Sequence, residues 1–264
     1  MDELELRRLS VFIDGVQIAD GLRIRLKGRA TISLKPDLWV ADIFELTQED
    51  YDRLQDGNEI QITGEDDSVL CQGKIDEVYV HTEEDKEITS VTVADGIDFW
   101  ESVVSLSLGG GNDAEKTIRY IVSRSSSPVK ISNIIAKNQT LVRGQVFQGR
   151  TVNYVRDLSK SINARAFITR NSLSVLDHRV PSTVIDMTSG DEIASAAYSN
   201  GVIVVRLTVM KGYQIGQIVL LPDTISKYRL ICQSVDADNL KGSWQTELIL
   251  LDDDMITDRD WSGG

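Results

Sequence analysis

The side chains that most often do chemistry are sparse in this sequence. Its two histidines, His81 in VYVHT and His178 in SVLDH, each follow an apolar run. An imidazole at the end of a strand is expected at the surface, and this pair has no cysteine or carboxylate at metal-ligand spacing. The cysteines, Cys71 in VLCQG and Cys232 in YRLICQSV, lie in alternating apolar runs, where a thiol packs as a small hydrophobe. No GxSxG elbow or HExxH helix occurs, so nucleophilic catalysis and zinc hydrolysis have no local warrant. Paired carboxylates are frequent, as in Asp66 with Asp67, Glu83 to Asp85, and Asp252 to Asp254, but they fall in turn-forming stretches where they keep turns wet. A glycosidase-like pair assembled from distant positions stays open. Gly109 to Gly111, followed by Asn112, lacks the Lys-Ser/Thr of a phosphate loop and reads as a hinge. Asn138 to Thr140 matches a glycosylation sequon, read as chance in a chain without a secretory signal. The expectation is a protein with no catalytic residues, no cofactor and no metal, and not an enzyme.

Charge is more informative. The formal net charge is −13, unevenly spread: residues 1–111 hold 25 acidic and 10 basic side chains, residues 112–190 hold 5 and 12, and the remainder 11 and 6. An acidic first third argues against a chain that wraps nucleic acid, because phosphate binding draws on clustered Lys and Arg. The basic middle is spread over helices and loops without aromatic interleaving, so an acidic neighbouring segment or subunit is the expected partner. Arg156 and Lys160, one helical turn apart, are the candidate contacts. Trp39, Trp100 and Trp244 sit in strand-like positions and read as core or interface anchors, whereas Trp261, in the terminal DRDWSGG, is the aromatic expected to meet a partner. No apolar run approaches the roughly 20 residues of a membrane-spanning helix. The N-terminal MDELELRRLS lacks the order of a secretory signal, so folding in a cytoplasm is expected.

These residues are carried by elements the sequence marks plainly. Residues 8–46 alternate in polarity (LSVFIDGVQI, LRIRLKG, ATISLK, LWVADIFEL), the period of strands with one wet face. In TQEDYDRLQDG, Thr47 caps a short helix, Asp50 completes a capping-box pattern and Gly57 ends it. Strands resume in NEIQIT, SVLCQGKIDEVYVHT and KEITSVTVAD. After the hinge, with Asn112 or Asp113 as cap, AEKTIRYIV and TVNYVRDLSKSINA each put apolar residues on one helical face, the second capped by Thr151. AFIT and SLSVLD form a hairpin around Arg170 and Asn171. From residue 191, EIASAAYS, GVIVVRLTVM, GQIVLLP, YRLICQSVD and SWQTELILL make a second β unit. The fold class expected is mainly β with some α: a β-barrel domain over residues 1–108 with an inserted short helix, a small α+β module over 109–190, and a second β-barrel with a tail over 191–264.

In this order the phrases resemble the bacteriophage tail baseplate hub proteins, the late control D and gp27-like family. IFEL, the helix TQEDYDRLQDG, then GNEIQI, GKI and ITSVTVADG stand where that family has its strand, short helix and three further strands. Glu45 replaces a common Asn and Asn58 a common Asp. GRTVNYVRDLSKSINARAFITRNSLSVLD is similar to the hub's small module, and NGVIVVRLTVMKGYQIGQIVLL, YRLICQSVD and KGSWQTELIL to its second barrel. The resemblance implies a structural role in a phage tail or phage-like particle. A homotrimer would present six similar barrels, joining a six-fold tail tube to a three-fold spike, with a tape measure as a further partner. It also implies that a cell-wall-cutting activity belongs to another chain, since no lysozyme, LysM or needle repeat is recognisable. The competing expectation is a carbohydrate- or receptor-binding baseplate protein.

Overall fold

The computed structural model of the chain describes residues 9–136, 139–140, 143–180, 182–222, 224–240 and 243–257. Asn138 and Trp261 lie outside these residues. The chain is mainly β, with four short α-helices among the described residues.

The first β unit contains β1 (Ser10–Ile13), β2 (Val16–Ile18), β3 (Ile24–Thr31), β4 (Asp37–Phe44), helix α1 (Gln48–Asp56), β5 (Glu59–Thr63), β6 (Val69–Glu83) and β7 (Lys86–Asp95). The helix begins where the capping pattern places it, with Thr47 Oγ1 accepting from the amide of Asp50 at 3.1 Å. The Asp50 carboxylate does not complete a capping box; it reaches across the unit to accept from the amide of Ala19. ATISLK is not a strand of its own. Its first residues finish β3; the amide of Ile32 still bonds Ile231 O of the neighbouring strand, and at Ser33, whose carbonyl accepts from Ile168, the chain leaves the sheet. Gly28 lets β3 continue past Trp39, because a Cβ there would lie 2.4 Å from the indole ring.

The middle contains α2 (Ile97–Glu101), β8 (Val103–Leu108), α3 (Ala114–Ser123), β9 (Lys130–Ile135), β10 (Gln145–Arg150), α4 (Thr151–Ser161), β11 (Arg165–Thr169) and β12 (Ser172–Leu176). β10 pairs β8, and β11, β12 and β9 form a second small sheet. Asp113 is the cap of α3, accepting from Lys116 N at 2.6 Å. Thr151 is not the cap of α4: it is already helical, its amide donates to Ser102 O, and Arg150 holds the cap position without a side-chain bond. The apolar stripes of α3 and α4 close a core around Phe99, Ile118, Phe147, Val155 and Leu173.

The second β unit contains β13 (Val184–Asp186), β14 (Ile193–Ser199), β15 (Val202–Leu207), β16 (Ile218–Leu220), β17 (Lys227–Asp238) and β18 (Ser243–Asp252). β3 pairs antiparallel with β17 from Thr31 opposite Cys232 to Arg25 opposite Asp238, so strands of both units run in one sheet, ordered β14-β15-β18-β17-β3-β4-β7-β6-β5-β1-β2. One core beneath it holds Trp39, Ile43 and Val93 from the first unit together with Leu230, Leu248 and Leu250 from the second. At the seam the Arg23 guanidinium grips Asp238 with bonds of 2.6 to 3.2 Å and lies 4.1 Å above the Phe44 ring.

Candidate functional site

Three features position side chains in ways that packing alone does not require. The first is the keystone where the module meets both β units. Arg170 and Asn171 link β11 to β12 with φ of 52° and 51°, the backbone of a two-residue hairpin turn of the primed type. Their amides donate to the Asp95 carboxylate at 2.6 and 2.8 Å, the Asn171 amide group donates to Glu59 at 3.0 Å, and Arg170 donates to Tyr213 O at 3.1 Å. Asp95 is 2% exposed. Burial pushes its carboxyl up to about 6, against the pull of the two amides and Arg170. A second buried clip is Arg229, which donates to Asp253 at 2.7 Å and to the carbonyls of His178 and Gly216 at 2.9 Å each.

The second feature is a cleft of about 90 Å³ between the Ile32–Lys35 loop, α2, α4 and the start of β11. Val152, Val155 and Leu158 turn one side of α4 into the module core, which leaves Arg156 half-buried and Lys160 exposed on the cleft side. Lys35 and Arg165 join them, and Trp100 lines the same cleft. Arg165 donates to Ile32 O at 2.8 Å, and burial draws its guanidinium below its usual value. Arg156 leans on Asn153 and Asp157, while neither Lys35 nor Lys160 meets a carboxylate among the described residues. Arg156 and Lys160, the candidate contacts, share this cleft with residues their own stretch of sequence does not indicate. Lys35 lies more than a hundred positions away, and Trp100, expected in a strand, sits in α2 and supplies the aromatic neighbour that the local pattern lacks.

The third feature is open strand edge. β14, IASAAYS, pairs with β15 on one side and has no strand on the other among the described residues. Residues 194–199 are exposed on both faces, Tyr198 at 60%. It carries no charge and no proline, the usual guards of an edge. β6 pairs with β5 only as far as Lys74, so its distal half, with Tyr79 and Val80 exposed, pairs among the described strands with β7 alone.

The side chains first considered for chemistry do not converge. His81 stacks on Tyr79 at 5.6 Å between ring centroids. His178 is not at the surface as expected: its side chain is 9% exposed and lies 3.9 Å from Asp177, which also binds Arg179 at 2.9 Å. Cys71 is buried, and burial pushes its thiol up. Among the described residues no group of three or more His, Cys, Asp or Glu is placed to hold a metal. No helix there is long and apolar enough to cross a membrane.

No protein-family model and no curated protein matches the chain by sequence. Solved structures do match in fold. A tail protein from Neisseria meningitidis MC58 superposes with a TM-score of 0.66 at 11% identity, covering 97% of this chain and 98% of that one. The 43 kDa tail protein of prophage MuSo2 from Shewanella oneidensis gives 0.64 at 9% identity, over 94% and 99%. An Escherichia coli component of the type VI secretion system, reported as structurally similar to the T4 bacteriophage tail proteins gp27 and gp5, gives 0.62 at 9% identity, over 92% and 76%. The chain therefore has the fold of phage tail proteins and of a gp27- and gp5-like secretion component, from end to end in the first two cases.

Proposed function

We propose that the chain is a structural baseplate hub of a phage tail or phage-like contractile particle, without enzymatic activity. Three copies form a ring, and the two β units of each place six around the axis, matching a six-fold tail tube on one side and a three-fold spike on the other. The observation that carries this reading is the end-to-end agreement of the fold with tail proteins at almost full coverage of both chains. The open edges support it. β14 and the distal half of β6 are different edges of one sheet, and a contact that joins unlike surfaces on successive copies can close into a ring. In this reading the tube or tube-initiator protein, the spike and the tape measure are the partners, the particle is the location, and Arg156 and Lys160 face a neighbouring subunit. Trp261 keeps its proposed role as a partner contact, although it lies outside the described residues.

Light scattering on the purified full chain over a range of concentrations tests the ring. Three copies of the 29.4 kDa chain give roughly 88 kDa. A species of that mass is the expected result. A 29.4 kDa particle at every concentration, unchanged by added tube and spike proteins, refutes the hub.

A further inference from the structure

The basic cleft has a counterpart elsewhere on the same molecule. β6 and β7 form a hairpin whose distal half stands clear of β5, and its two-residue turn is Glu84-Asp85, flanked by Glu83 and Lys86, with Glu87 next; Lys86 is turned to Glu45 at 3.4 Å. Both turn residues have positive φ, 54° and 61°. Glycine, asparagine and aspartate adopt that backbone more readily than glutamate, so Glu84 is held at the tip against local preference. Glu83 is taken by Arg25 at 2.7 Å, but Glu84, Asp85 and Glu87 are exposed and meet no cation among the described residues. The other acidic turns differ: Asp66 is paired with Lys211 and Asp253 with Arg229.

Cleft and tip cannot meet within one copy. Arg25, which holds the tip, is near the start of β3, whereas the cleft loop Ile32–Lys35 follows the end of that strand. At about 3.3 Å per residue the two are roughly 20 Å apart. We propose that the Glu84-Asp85 tip of one copy seats in the Lys35, Arg156, Lys160 and Arg165 cleft of the next, as the contact that orders successive subunits around the ring. This rests on the ring reading and names its partner surface as a second copy of this chain. In a three-fold ring a tip-to-cleft contact is heterologous, and the opposite charges set the direction in which copies follow one another. Near the surface such pairs are screened within about 10 Å at 0.1 M salt, so the assembly loosens as salt rises.

Charge exchange in the full chain tests it. Variant R156E/K160E and variant E84K/D85K each place like charges across the contact, and both are expected to associate on the order of a hundredfold more weakly than the wild type. The four substitutions combined restore opposite charge in reversed sense and are expected to recover the trimer mass at low salt. Circular dichroism matching the wild type shows that each variant folds. A wild-type trimer whose mass survives either reversal, or a folded fourfold variant that stays dissociated, overturns the cleft-and-tip contact and leaves the ring standing. A wild type that never trimerises removes the ring itself, and the contact with it.

Discussion

Replacing Asp95 by asparagine tests the keystone quantitatively. The carboxylate is 2% exposed and accepts the amides of Arg170 and Asn171, so it joins the end of β7 to the module's hairpin. Desolvation is the largest influence on it and outweighs both hydrogen bonds, which puts the folded-state value at about 6 against an unfolded 3.8. The folded chain therefore holds a proton that the unfolded chain releases. This contribution to stability is fully present below pH 3.8 and is lost as pH rises through about 6. Each pH unit within that window is worth about 1.4 kcal/mol, so between pH 4.5 and pH 7.5 the wild type should lose about 2 kcal/mol relative to Asp95→Asn, which cannot titrate. The amide keeps one carbonyl for two donors, a loss of about 1–3 kcal/mol. Counted against the carboxylate of neutral pH, that loss leaves the variant less stable at pH 7.5, and its deficit should be about 2 kcal/mol larger at pH 4.5. Urea unfolding at the two pH values measures the difference. A difference independent of pH, or one that grows towards neutrality, refutes the assignment of burial as the dominant influence.

Further outcomes follow from other contacts. Arg229→Met leaves Asp253 and two buried carbonyls without their donor and should cost about 3–5 kcal/mol by urea unfolding, a buried pair broken on one side. Thr151→Val should be neutral or slightly stabilising in the same assay, because the buried hydroxyl has no hydrogen-bond partner among the described residues. Gly28→Ala forces the Trp39 ring to shift and should destabilise by about 1–3 kcal/mol, with a changed near-ultraviolet tryptophan signal. On the proposed ring, Ala196→Pro on β14 should lower the trimer fraction in light scattering while leaving the melting temperature of the monomer within a few degrees, since the residue is exposed.

What could be read from the sequence was local. Thr47 and Asp113 cap helices because a side chain reaches only two or three residues ahead, and the Arg170-Asn171 turn follows from two strands separated by two residues. Thr151 misled because its amide found Ser102 O, a partner 49 positions away that no cap rule contains. ATISLK misled because its alternation continues beyond the point where tertiary bonds pull the chain from the sheet. Pairing of β3 with β17, the reach of Asp50 to Ala19 and the gathering of Lys35 and Trp100 around Arg156 all depend on long-range closure, which leaves no periodic trace. His178 illustrates the same limit: its strand-end position suggests exposure, but Arg229, 51 positions on, bonds its carbonyl and its side chain lies against Asp177.

The seam between the two β units also bears on how the molecule carries load. Seven residue pairs join β3 to β17 along antiparallel strands, and the Arg23–Asp238 fork closes one end of that ladder. A force directed along the strands would be shared by all of these bonds at once, whereas a force across them would open the ladder pair by pair. The units are therefore stiff against sliding and have no hinge in that direction. A force delivered to one β unit along the strands would reach the other with little deformation, and the bond from the Ile32 amide to Ile231 O ties the end of the ladder away from Arg23.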